Sequence, residues 1–382
     1  MNDVIAIKPY LIQPRLIPQP TWGGSYIAHM KSWDHLPYVQ DVKIGQSYEL
    51  YGKSFLFTEL TRSDDPCFVP DMDGVTTSSP RVALSELIAH DPIAMTGDAS
   101  RTDMNVLIKF TQALGNSFQL HVRKPDQSAR WTPKPESWFF LEPGRMTYGL
   151  NASSDIAAYK KTCEEINAYM VALSADVISG KTPISEAKEK SAAYIAEKNP
   201  WQHVNVYDVP KGELIDLSTG GIHHSWEQSD DPNFIGNIVY EVQLDVVDDK
   251  CTIRSFDQGK LLSDGSIRTI HIDDYFRYID MDPTHNDINF GRRVPDGEKL
   301  LATPYYMVDY LDVHAPLTRQ THASFKHVFL SSGAAKITAG SGSVVLTTGH
   351  SAFVPAAARV YTIEPRTPNV VVIETYLPAM KS

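Results

Sequence analysis

The sequence predicts a mainly β protein whose antiparallel sandwich or barrel walls are interrupted by one helical insertion. Short β-branched and aromatic runs recur at close spacing, and 25 prolines with clusters of Gly, Asp and Ser punctuate them. One block, residues 153–199, switches instead to the three-to-four-residue period of helices. A length of 382 residues exceeds one small core and implies two domains, or one with substantial insertions. The first is expected over 1–152 and 200–270, the insertion over 153–199, and a second, structural jelly roll over 271–382.

The clearest strands are VLIKF (106–110), SFQLHV (117–122), SWFFL (137–141), HVNVYDV (203–209), ELIDL (213–217) and NIVYEVQLDVV (237–247). In the insertion, Ile156, Tyr159, Cys163, Ile166, Met170, Leu173 and Val177 form one apolar stripe behind the cap candidates Ser153 and Ser154. A second helix starts from Thr182 as N-cap with Pro183 at its first position, and stops before Asn199-Pro200. From about Tyr305 strands return, punctuated by Gly340, Gly342 and Gly349. This part offers His322, His327 and His350 without a carboxylate at matching strand-face spacing, so it reads as structural.

A net charge of −11 argues against a nucleic-acid partner, which needs a broad basic face. Cys67, Cys163 and Cys251 are scattered and odd in number, so neither a disulfide framework nor a zinc ribbon is expected and a reducing cytoplasm fits. Met1–Pro20 lacks a signal-peptide pattern, and no apolar run reaches the roughly 18–20 residues that span a bilayer. Oligomeric state leaves no mark in the sequence.

The chemistry concentrates between Phe118 and His224. Gln119 and His121 are two apart in an apolar strand and share a face; Glu136 opens the next aromatic strand; His223 follows a double glycine. Together they form a candidate metal set. Imidazole, carboxylate and amide ligands suit zinc, iron, cobalt or manganese alike. Lys109, Arg123, Lys124, Arg130 and Lys134 crowd the same stretch, a local basic patch in an acidic protein.

Further segments extend the pattern: TWGG (21–24), GQSYEL (45–50), VLIKF (106–110), NSFQLHV (116–122), KPESWFF (134–140), GGIHHS (220–225), TIRSFD (252–257) and GHSAFVPA (349–356). In order and approximate spacing the chain resembles the type I, cupin-fold mannose-6-phosphate isomerases. The resemblance implies two cupin barrels and one zinc ion held by Gln119, His121, Glu136 and His223. It also implies a small-molecule sugar phosphate near Lys109, Ser117, Lys134 and Arg254, with Lys134 and Arg254 as catalytic residues. Four positions in three places depart from the family. Val122 and Arg123 follow the Gln-x-His where the family continues with proline and then Asn or Asp, Pro133 replaces a histidine before Lys-Pro-Glu in some members, and Lys250 stands where the family tends to have an acid.

The implied reaction interconverts mannose 6-phosphate and fructose 6-phosphate by moving a proton between adjacent carbons. Lys134, Asp249, Asp257 and a metal-bound hydroxide are candidates for the base. Arg254 offers a permanently charged planar fork for developing charge or phosphate. Two alternatives stay open: an isomerase of another phosphorylated sugar, and a non-catalytic sugar-phosphate-binding cupin.

Overall fold

The computed structural model describes residues 6–226, 234–322 and 324–378. Their strands form four sheets with antiparallel pairing along every ladder. Two of these flank a cavity. A five-stranded sheet runs Val204–Val209, Gly144–Leu150, Gly221–Ser225, Phe118–His121 and Ile253–Phe256. A seven-stranded sheet faces it, with Glu136–Phe140, Asn237–Leu244, Val106–Ala113 and Ile44–Leu50 at its centre. All six strands expected from the clearest runs are present, within a few residues at each end.

Side-chain alternation explains how one strand serves two layers. In Asn237–Leu244, Val239, Glu241 and Gln243 line the cavity, whereas Ile238, Tyr240 and Val242 join the hydrophobic core behind. There Phe110 and Tyr240 meet Phe329, with ring centroids 5.9 and 5.0 Å apart. Phe329 belongs to the eight-stranded sheet, which is centred on Val370–Tyr376, Lys326–Ser332 and Ser351–Val354. Full burial of one such side chain contributes about 1.5–3 kcal/mol. The four-stranded sheet, built from Leu317–Gln320, Val360–Pro365, Ala334–Ala339 and Gly342–Thr347, contributes Ile337, Val344, Leu346 and Ile363 to the same core.

The insertion covers the outer face of the five-stranded sheet. Tyr159, Cys163, Ile166, Met170 and Leu173 of the helix Ile156–Ile178 pack with Phe118, Leu120, Ile222, Ile253 and Phe256. The stripe is therefore core, as expected. Its cap is Asp155, whose carboxylate accepts from Ala157 N (2.8 Å) and Ala158 N (3.1 Å). Ser153 and Ser154 bond Asn151 and His203 instead. The second helix, Ile184–Lys198, begins one residue later than expected, with Pro183 in the cap position, and Asn199 ends it with a left-handed φ of 45°.

The structure departs from the sequence reading in two further ways. The expected closed barrels are open: each sheet has free edges, and register shifts at Val204/Val206 and Arg254/Phe256 bend both edge strands of the five-stranded sheet away from a continuous ladder. The N-terminal strands Tyr10–Gln13, Phe55–Phe57 and Arg81–Ala83, taken from sequence as part of the first unit, complete the eight-stranded sheet beside Ser351–Val354. Strands resume at Arg292–Arg293, which joins the seven-stranded sheet beside Leu214–Asp216, and at Lys299–Ala302, both ahead of Tyr305. Among the described residues no helix is long and apolar enough to cross a membrane.

Candidate metal centre and cavity

Strand register brings the sequence-predicted ligands together. His223 lies opposite Gln119, and Gln119 lies opposite Arg254, so three neighbouring strands present His223, Gln119 and Arg254 as one row. The double glycine makes this possible. Gly220 has φ +79°, and a Cβ there would stand 2.5 Å from the His121 carbonyl oxygen, so only glycine lets the chain turn so close to the ligand strand. Across the gap, Glu136 enters from the seven-stranded sheet. His121, Glu136 and His223 are buried and place ligand atoms within 4.8 Å of one another.

The hydrogen bonds select the tautomers a metal needs. His121 Nδ1 lies 2.6 Å from the Cys251 carbonyl oxygen and His223 Nδ1 lies 3.2 Å from that of Gly221. Each ring donates there, which turns an unprotonated Nε2 toward Glu136. His223 Nε2 is 2.7 Å and His121 Nε2 3.4 Å from Glu136 Oε1. His121 Nε2 is buried without a hydrogen-bond partner, a cost that coordination would remove. Gln119 Nε2 sits 2.9 Å from His223 Nε2; the alternative amide orientation puts Oε1 in that place, where it completes the donor set. Two imidazoles, one carboxylate and one amide oxygen fit a borderline divalent ion.

Electrostatics act in the same direction. Burial pushes the His121 pKa down to about 4 against the pull of Glu136, so the ring is neutral near pH 7. Burial alone would raise the Glu136 pKa, but Lys134 and the two histidines carry it well below the ordinary carboxylate range. Lys134 Nζ is 2.7 Å from Glu136 Oε2. Burial opposes its charge, yet Glu136 and Glu241 outweigh this and hold its pKa above the ordinary lysine value. The pairing with Glu136 thus favours the charged form of Lys134.

The cavity, about 400 Å³, is lined by Lys109, Ser117, Gln119, Lys134 and Arg254, which includes every residue expected near the substrate. Lys109 Nζ is 2.7 Å from Glu241 Oε1, and burial brings its pKa down although Glu241 pulls it up. Arg254, 8 % exposed, is pinned to Asp248 while its buried Nε makes no hydrogen bond. Not all of the predicted basic patch arrives. Arg123 turns to Asp280 (2.5 Å), Lys124 to Gln127 (2.7 Å), and Arg130 lies over Trp131 near Asp274. Asp249 is exposed, and its neighbour Asp248 meets Arg254 instead. Asp257 is held by Arg268.

Sequence reasoning missed Glu241, Trp138 and Tyr48 as cavity residues. Glu241 pairs with Trp138 on one side and Lys109 on the other, and Lys109 pairs with Tyr48, so the four form a row across the seven-stranded sheet. The signal was present: an acid and an amide, Glu241 and Gln243, interrupt an apolar strand at two-residue spacing. His224 takes the opposite face from His223, stacks on Phe118 with centroids 4.5 Å apart and bonds Gln258 (2.6 Å). His327 and His350 are buried in the second sandwich, bonded to Tyr240 (2.9 Å) and packed against Trp33 and Phe68 respectively; His322 is exposed.

The architecture, two sandwiches of antiparallel sheets with a helical layer on one, is that of the mannose 6-phosphate isomerase structures. That from Bacillus subtilis aligns over 96 % of this chain and 99 % of its own, with a TM-score of 0.62 and 15 % identity. A zinc-bound mannose 6-phosphate isomerase aligns over 97 % and 99 %, with 0.64 and 15 %. A variant phosphomannose isomerase from Salmonella typhimurium aligns over 97 % and 99 %, with 0.66 and 13 %. At such identity the likeness establishes the cupin-like fold. No family model matches the sequence, and no curated protein matches it.

Proposed function

We propose that this protein is a metal-dependent aldose–ketose isomerase that interconverts mannose 6-phosphate and fructose 6-phosphate, with zinc as its ion. The observation that carries the reading is the row His223–Gln119–Arg254 facing Glu136 and His121 across one cavity. It joins a metal donor set to a fixed guanidinium. The full-length likeness to mannose 6-phosphate isomerases, one of them zinc-bound, supports the same reading.

Gln119, His121, Glu136 and His223 hold the ion, which when bound supplies positive charge where negative charge develops on the sugar oxygens. Arg254 adds a second, permanently protonated stabiliser beside it. Lys134 orients Glu136 and keeps the site cationic. Of the cavity carboxylates outside the donor set, Glu241, Asp245 and Asp248, Glu241 is the buried one and carries the proton between C1 and C2: it is 5 % exposed, with Lys109 against Oε1 and the Thr111 hydroxyl 3.2 Å from Oε2. Ser117 and Lys109 contact the sugar or its phosphate. The sheets on both sides exclude water from the enediolate.

A coupled assay on metal-analysed protein, run over a panel of aldose phosphates, tests this. Mannose 6-phosphate is expected to give the highest kcat/KM. Faster turnover of another sugar phosphate would reassign the substrate, and binding without any turnover would make the protein a sugar-phosphate sensor.

A further inference from the structure

The geometry points to Arg268 as the phosphate anchor of the cavity, the residue that selects phosphorylated over free sugar. This rests on the isomerase reading above. Arg254 lies in register with Gln119 and His223, so its fork belongs to the end where C1 and C2 react. In a hexose 6-phosphate the anion sits at the other end of the carbon chain. A different group must grip it.

Strand geometry marks that end. His121, Gln119 and Ser117 share one face, and Ser117 stands roughly 6.6 Å beyond Gln119. Phe256 pairs with Phe118 across the ladder, which brings the next residue, Asp257, alongside Ser117. Asp257, 9 % exposed, accepts both arms of Arg268, Nε to Oδ2 at 2.6 Å and Nη2 to Oδ1. This pairing fixes the guanidinium plane, and Nη1 makes no hydrogen bond or ion pair in the described chain. Arg268 lines the cavity together with Ser117 and Asn116, and with Gln19 and Trp22 it also lines a smaller adjoining pocket; its side chain is 37 % exposed. It therefore stands at the mouth, where a planar fork can reach phosphate oxygens. The other cavity cations are engaged nearer the metal set: Lys134 with Glu136, Lys109 with Glu241 and Arg254 with Asp248. Lys260 also comes to the Ser117 end, with Nζ on the Gly115 carbonyl at 3.0 Å, and serves as the comparator.

The test is Arg268→Gln, Arg268→Lys and Lys260→Gln, each read by kcat and KM for mannose 6-phosphate and mannose, by calorimetric binding of inorganic phosphate, and by metal content. Arg268→Gln is expected to raise KM for mannose 6-phosphate at least roughly tenfold with kcat changed less than about threefold, and to weaken phosphate binding similarly. KM for mannose and metal content should stay as in the wild type. Arg268→Lys should recover part of the loss, since charge returns without the fork. Unchanged KM and phosphate binding in Arg268→Gln, an equal rise for both sugars, or a loss confined to Lys260→Gln would overturn the assignment. If the wild type turns over no sugar phosphate, the isomerase reading fails first, and the phosphate-binding arm alone decides Arg268.

Discussion

The two sandwiches bury charge in opposite ways. In the second, every carboxylate oxygen of the deep acids is partnered. Glu374 receives Tyr361 and Arg319, and Glu49, which points from Ile44–Leu50 of the seven-stranded sheet into the core shared with the eight-stranded sheet, receives Lys31 (2.7 Å), Ser47 (2.6 Å) and Ser351 (2.8 Å). His327 Nε2, His350 Nδ1 and Lys326 Nζ lack hydrogen bonds, but His350 packs against Trp33 and Phe68, and Lys326 lies 3.0 Å from the Tyr376 ring centroid. In the first sandwich several of the unpartnered atoms belong to cavity-lining groups or to the metal set, namely His121 Nε2, Arg254 Nε, Gln243 Oε1 and Trp138 Nε1, while others such as Thr147 Oγ1 and His203 Nε2 lie outside both. A buried network closed on itself specifies a fold; one left open beside a cavity is built to receive a ligand.

The contrast breaks most sharply at the metal set. His223→Ala should abolish metal retention and lower turnover by about 10³-fold or more while the protein stays folded, whereas His224→Ala keeps its metal. Elemental analysis of the two purified variants checks this, and metal loss in His224→Ala alone would reverse the assignment. In the second sandwich the equivalent damage should appear as unfolding. Lys31→Met strands Glu49 in a site of zero exposure and should cost about 3–5 kcal/mol, while adding Glu49→Leu recovers most of it. Chemical denaturation of both variants reads this directly.

Arg254→Ala sharpens the comparison within the cavity. Because Arg254 shares a row with Gln119 and His223, its loss should lower kcat at least roughly 10²-fold with metal content intact, and Arg254→Lys should restore little. A rise in KM with normal kcat would instead make it a phosphate anchor. The smallest effect concerns acid stability. Burial, aided by Lys31, pushes the His327 pKa down from 6.5 to about 3. The folded state therefore holds the ring neutral, and the stability this gives is present above pH 6.5 and lost as pH falls toward 3. Between pH 6.5 and 5 the loss should be about 1–2 kcal/mol, and His327→Gln should flatten that slope. Parallel denaturation curves for both proteins would remove the assignment.

Much of the site was legible because its logic is local. Gln119 and His121 are two apart on one strand and so share a face, and that spacing survives whatever the strand pairs with. Glu241 and Gln243 carried the same signal in Asn237–Leu244 but needed a test of which face looks inward. The basic patch misled because Arg123, Lys124 and Arg130 follow the strand end, where a turn releases alternation and distant acids such as Asp280 and Asp274 capture two of them. The choice of Asp248 over Asp249 depends on a single 3₁₀ turn. The place of Tyr10–Gln13 was illegible for a different reason: its partner, Ser351–Val354, lies near the other end of the chain, and no local pattern encodes such a pairing.

The central claim is that Gln119, His121, Glu136 and His223 hold a functional ion. It is tested most directly by dialysing the protein against a chelator and measuring metal content and mannose 6-phosphate isomerisation on the same samples through stepwise zinc return. About one divalent ion per chain is expected at full activity, with activity falling and recovering in proportion to it. Full turnover by protein with no stoichiometric metal would contradict it.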